Sequence, residues 1–156
     1  MKKKLTPLTI DQAIARLEAV KAAAGTGNVP FLAQSHEPRM LELCDLALRR
    51  AGSSDLYRLV SRGGVPVVVI SLYAPQKPFG SPKPYLNVDE ALDRLRQLLQ
   101  EVPGDTPVLA DAKGRFATQL CDIREDRHSA GGFVYKTVSR GGLPVAMVTF
   151  GPPVLA

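Results

Sequence analysis

One short motif is written twice in this chain. Tyr57, Val60, Ser61, Arg62, Gly63, Gly64, Pro66 and Val67 return in the same order as Tyr135, Val138, Ser139, Arg140, Gly141, Gly142, Pro144 and Val145, each displaced by 78 positions. An apolar run follows each copy, Val68-Val69-Ile70-Ser71-Leu72 and Ala146-Met147-Val148-Thr149-Phe150. Self-similarity at a fixed period is the mark of a repeated unit. The chain therefore reads as a tandem duplication, with a basic tail (1–7), repeat 1 (8–74), a proline-rich linker (75–85), repeat 2 (86–152) and a short tail (153–156).

Each unit opens with a helix. Thr9 and Gln12 form a capping box ahead of an apolar stripe at Ile10, Ala13, Ile14, Leu17 and Val20, and Gly25 is the expected stop. Asn87 and Glu90 do the same for Val88, Ala91, Leu92, Leu95, Leu98, Leu99 and Val102, closed by Pro103 and Gly104. Asp11 and Asp89 stand in the first turns, where a carboxylate complements the helix dipole. Arg16 and Arg94 match on the polar faces, where surface pairing is the expected role.

Strands are expected next at 29–33 and 107–111, and again at 40–48 and 116–124, the latter entered through a hairpin turn at 112–115. Turns at 52–55 and 126–132 then lead to strands at 56–62 and 133–140. Each of these is joined by a Gly-Gly pair, as a tight hairpin, to strands at 66–73 and 144–150, since both central positions of a primed turn need positive φ. The fold class is α+β, each repeat one helix plus an antiparallel meander of about four strands. Residues 65–72 are apolar at nearly every position, so both faces of that strand need a cover. The helix supplies one; the sister repeat, a second copy of the chain (a homodimer) or a partner supplies the other.

The chain has 45% apolar and 22% charged residues, well outside the composition of disordered segments. A net charge of +5 favours an acidic partner, although Lys2, Lys3 and Lys4 account for part of it. No signal-peptide pattern or membrane-length apolar run is present, so a cytoplasmic location is expected. Cys44 and Cys121 occupy matching places, Leu43-Cys44-Asp45 and Leu120-Cys121-Asp122, and read as buried structural thiols.

Catalytic groupings are sought and not found. His36 and His128 fall in expected turns, exposed and unmatched between repeats; Ser61 and Ser139 lack the frame of a nucleophile elbow. Gly25-Thr26-Gly27 follows a helix and precedes a strand, the reverse of a phosphate loop. Asp11, Asp45, Asp89 and Asp122 recur in register but form no close pair along the chain. No metal-ligand spacing occurs, so no metal or cofactor is expected, and the protein reads as a non-enzyme. The candidate binding residues are Arg62, Gly63, Gly64 and Arg140, Gly141, Gly142, an arginine fork beside glycine amides suited to phosphate or carboxylate. Tyr57 and Tyr135 are in register, but aromatics are too sparse for a base-stacking platform.

The order of elements in 9–70 and 87–148 resembles small accessory proteins of bacteriophages and other mobile elements, which implies a macromolecular partner, protein rather than nucleic acid, and among such proteins inhibitors of host defence complexes. Separately, Ser139-Arg140-Gly141-Gly142-Leu143-Pro144-Val145-Ala146-Met147-Val148 is similar to a stretch of prevent-host-death antitoxins. That similarity implies operator DNA binding, here through Arg-Gly-Gly β-ribbons. The chain departs from the antitoxin pattern by an extra strand pair, by duplication and by lacking a disordered toxin-binding tail.

Overall fold

The two capping boxes start two helices. Thr9 Oγ1 accepts from the Gln12 amide and Asn87 Oδ1 from the Glu90 amide, while the Gln12 and Glu90 side chains each accept from the cap residue's own N–H. Each such cap is worth about 1 kcal/mol. The computed structural model describes residues 7–34, 40–52, 59–60, 62–71, 86–111, 118–131 and 134–153. It gives an α+β molecule in which two helices lie on one curled eleven-stranded sheet.

In chain order the elements are β1 (Leu8–Thr9), α1 (Ile10–Ala24), β2 (Pro30–Gln34), β3 (Met40–Leu43), β4 (Asp45–Ala51), β5 (Leu59–Val60), β6 (Val65–Ser71), β7 (Leu86–Asn87), α2 (Val88–Leu98), β8 (Pro107–Asp111), β9 (Gln119–Gly131), β10 (Val134–Thr137) and β11 (Leu143–Pro153). Gly25 stops α1 in the left-handed region at φ 79°, as its lack of a Cβ allows. Helix α2 ends at Leu98, short of the stripe expected to run to Val102, and Leu99 is exposed.

A simple meander within each half is not what forms. The strand order is β10-β3-β2-β11-β9-β8-β6-β4-β5, with two parallel pairs, β6 with β8 and β11 with β2. The last long strand of each half thus pairs with the first long strand of the other. The short entry strands exchange likewise, β1 onto β8 and β7 onto β2. The first amides of each helix also find carbonyls across the divide: Ile10 and Asp11 donate to Thr106 and Gly104, Val88 and Asp89 to Val29 and Gly27, at 2.9–3.1 Å. These bonds satisfy N–H groups that a helix start would otherwise leave open.

Pairings recur at a constant displacement. The β4–β6 ladder runs from Asp45↔Ser71 to Ala51↔Val65, and the β9–β11 ladder from Asp122↔Thr149 to His128↔Leu143, so the partners shift by 77 and 78 positions. Pairing also closes a circuit, β10 to β3 to β2 to β11 to β9 and back to β10.

The curl of the sheet accounts for the continuous apolar runs. Val68, Ile70, Ala146 and Val148 face the helices, in a core with Ile10, Leu17, Phe31, Leu92, Leu95 and Ile123. Val67 and Val69 point the other way and are buried with Ala51 and Leu109, as Val145 and Met147 are with Leu32 and Leu41. The second cover is the sheet's own curl, so no second copy is required for it. Fully burying each such side chain contributes about 1.5–3 kcal/mol.

Several local expectations shift. The strand expected at 40–48 breaks at Cys44, because β3 pairs with β2 while β4 turns to β6, and β4 runs on to Ala51. At the break the Asp45 carboxylate accepts from the Leu46 amide at 2.8 Å, a local bond that competes with the ladder; Asp122 does the same for Ile123. Strand β9 runs through to Gly131, so the turn expected at 126–132 is strand over its described part. His128 is accordingly 1% exposed, not a solvent-facing turn residue. Strand β11 continues to Pro153, past the boundary expected for repeat 2. The turn at 112–115, the linker 75–85, His36, Tyr57 and Ser61 lie outside the described residues, and of the turn at 52–55 only Gly52 is described.

Candidate functional site

The two Gly-Gly bends share one conformation. Gly63 and Gly64 have φ of 69° and 74°, Gly141 and Gly142 of 67° and 77°, all in the left-handed region. They do not close hairpins. Strands β5 and β6 do not pair with each other; both pair with β4, which lies between them, through Ala51↔Leu59 and Ala51↔Val65. In the same way Thr137 and Leu143 flank His128 of β9. Each bend therefore carries the chain across an intervening strand, from one edge to the other. Two successive left-handed glycines suit a tight primed turn and a sharp crossing equally, so the motif could not distinguish them.

The second glycine of each pair lies against that intervening strand. A Cβ on Gly64 would fall on the carbonyl of Ala51, and one on Gly142 would lie 2.5 Å from the carbonyl of His128. The first glycine of each pair faces open space. Arg62 and Arg140 are exposed beside them, as expected. The six expected binding residues thus form two separate crossings, and among the described residues no hydrogen bond or ion pair links one crossing to the other.

Two further arginines join them. Arg50 lies opposite Val60 on one side and Pro66 on the other, and Arg127 lies opposite Pro144 while its carbonyl accepts from Val138 N–H at 3.1 Å. Both are exposed, and among the described residues neither forms an ion pair. Sequence reasoning missed them because it ended the strands before both residues. Extending the Cys44/Cys121 register without a gap would have matched Arg50 to Arg127.

Exposed aliphatic side chains gather in the same places. Of the four large exposed hydrophobics among the described residues, Val60 (36%), Val65 (37%) and Leu143 (54%) flank the crossings; the fourth is Leu99. Each crossing is thus an arginine pair beside uncovered aliphatic surface, and arginine is among the residues enriched at protein interfaces.

A second feature lies on the helix side. A cleft of about 250 Å³ is lined by Pro7, Leu8, Gln12, Arg16, Cys121 and Asp122. Arg16 Nε stands 3.4 Å from Asp122 across the two halves, and Arg94 pairs reciprocally with Asp45 while donating to the Leu46 carbonyl at 3.0 Å. The surface pairing expected of these arginines is present. Burial, with the Asp122 charge adding to it, pushes the Cys121 thiol up to about 12. Cys44 is likewise held well above the ordinary thiol value, by burial first and then by Asp45 and Cys121. Each Sγ donates to a carbonyl thirteen residues earlier, Cys44 to Phe31 of β2 at 3.4 Å and Cys121 to Val108 of β8 at 3.5 Å. The thiolate is the nucleophile, so both groups are held in their inert form. Among the described residues no cluster of three histidine, cysteine or carboxylate side chains is placed to hold a metal ion, and no helix is long and apolar enough to cross a membrane.

Comparison with family models, with curated proteins and with solved structures finds no match.

Proposed function

We propose that this is a non-enzymatic binding protein that engages a macromolecular partner, a protein rather than a nucleic acid, through its two strand crossings. The observation that carries the reading is the coincidence, at both crossings, of exposed aliphatic side chains with arginines that have no ion-pair partner among the described residues. The arginines stand on crossings and not on a projecting two-stranded ribbon, which removes the element that would enter a DNA groove. The recurrence of registers, helix caps, arginine–aspartate pairs and thiol placements at 77–78 positions supports an origin by internal duplication. Two equivalent surfaces on one chain raise the effective affinity for a target that is itself repeated. With the resemblance to accessory proteins of mobile elements, the partner class is a host or phage protein complex met in the cytoplasm, and inhibition of a defence complex is the form such binding takes.

The test compares proteins cross-linked in bacterial lysate by the wild-type chain, by Val65→Asp and Leu143→Asp separately, and by the double variant. The reading expects a defined complex that is retained by wild type, weakened by each single change and lost with both. Equal retention by all four proteins overturns it.

A further inference from the structure

The two crossings share their arginines but not their neighbours. On the face of β4 that carries Arg50, the residue two positions earlier is Leu48, which packs against the helix-side core. On the matching face of β9 the residue two positions before Arg127 is Glu125, exposed. Side chains two apart on a strand share a face and stand roughly 7 Å apart. Glu125 therefore offsets Arg127 at short range, whereas among the described residues Arg50 has no carboxylate on its face. On the opposite faces Arg49 takes the place of Asp126; Asp126 sits 4.0 Å from Arg124, and Arg49 lies within electrostatic reach of Asp111. Around the first crossing, residues 46–51, 59–60 and 62–71 hold three arginines and no carboxylate; around the second, residues 124–128 and 137–145 hold three arginines, Glu125 and Asp126. The exposed aliphatic side chains are divided between the two, Val60 and Val65 at the first crossing and Leu143, the most exposed of the three, at the second.

We infer that the crossings are specialised: the first, through Arg50 and Arg62 beside Val60 and Val65, takes an acidic protein segment with interspersed aliphatic residues, and the second supplies an apolar contact centred on Leu143. The inference rests on the binding reading above and adds the chemistry of each half of the surface. Exposed guanidinium groups beside uncovered valines fit carboxylates on a protein better than a bare phosphate backbone, which offers nothing to the valines.

The probe is a fluorescein-labelled peptide of alternating glutamate and leucine pairs, titrated by anisotropy against the full chain, with a 20-base-pair DNA duplex as the comparison ligand. Loss of two exposed ion pairs with reversal of both charges should weaken peptide binding about ten-fold in Arg50→Glu/Arg62→Glu, and by less than about three-fold in Arg127→Glu/Arg140→Glu. Arg50→Gln/Arg62→Gln, checked for an unchanged urea midpoint, separates charge from folding and should give an intermediate loss. Added salt should erase the difference between wild type and the first variant. Equal losses in the two charge-reversal variants overturn the specialisation while leaving the two-crossing reading in place. Peptide binding that neither variant weakens overturns both. Retention of the duplex but not the peptide, or of neither, overturns the assignment of an acidic protein segment.

Discussion

The four glycines of the crossings offer a test in which one substitution, made at neighbouring positions, should have very different costs. Placing alanine in the left-handed region costs about 1–2 kcal/mol, offset by about 0.4–1 kcal/mol from the less flexible unfolded chain. Gly63→Ala and Gly141→Ala meet open space, so only that net cost of about 1 kcal/mol applies. Gly64→Ala places its methyl on the backbone carbonyl of Ala51, and Gly142→Ala places its own against that of His128 and the Val138 side chain. A carbonyl held in a ladder cannot swing aside as a side-chain end does. The crossing must lift off the strand, which by the scale of overpacked sites adds about 1–3 kcal/mol. Urea unfolding followed by far-ultraviolet circular dichroism should therefore rank Gly64→Ala and Gly142→Ala below Gly63→Ala and Gly141→Ala, with the m-value unchanged. On a chain of this size each kcal/mol corresponds to about 2–4 °C in Tm. If Gly64→Ala unfolds at the same urea concentration as Gly63→Ala, the second glycine is not pressed onto Ala51 and the crossing geometry is refuted.

The reciprocal ion pairs should differ in worth. Arg94 also bonds the Leu46 carbonyl and its partner Asp45 is mostly covered, so Arg94→Ala should cost about 1 kcal/mol, against about 0–0.5 kcal/mol for the half-exposed Arg16→Ala; equal urea midpoints would contradict this. Cys44 and Cys121, held protonated by burial, should react with a thiol reagent at pH 8 only as fast as the chain unfolds, and prompt modification of the folded protein would refute their placement. Burial raises the pKa of Asp111, against a smaller opposing pull from Arg49, and among the described residues its Oδ1 has no hydrogen-bond partner. The folded state then holds the proton more tightly than the unfolded one, so stability falls as pH rises from the unfolded value of about 3.9 through the raised folded value. Asp111→Asn should raise the urea midpoint at pH 7 and leave it unchanged near pH 3; a lower midpoint at pH 7 would show the carboxylate to be stabilising.

Local signals were legible where local physics decides. Capping residues and apolar stripes announced both helices, and Gly25 the end of α1, because a helix satisfies most of its own hydrogen bonds within a few residues. Pairing partners were not legible. Nothing in Met40 to Ala51 says that the chain leaves β2 at Cys44 and joins β6, since that exchange depends on strands far away in sequence. His128 was misplaced for a related reason: Glu125, Asp126 and Arg127 read as a polar turn, yet in β9 exposed Glu125 and Arg127 and half-buried Asp126 precede a buried histidine. The arginines and glycines of the crossings were visible from the repeat, but Arg50 and Arg127 join them only because the crossings sit beside their strands.

The exchange of strands between halves also sets an order of events during synthesis. When residue 71 leaves the ribosome, β6 still lacks β8, which follows at 107–111, and β2 still lacks β11, which follows at 143–153. Each of these two hydrogen-bonding edges stays open until its partner strand has been made, a condition that favours slow folding and mispairing between nascent chains. Strand β11 inserts between β2 and β9, so a stop before residue 143 would open the circuit between them and not merely trim the sheet at its rim.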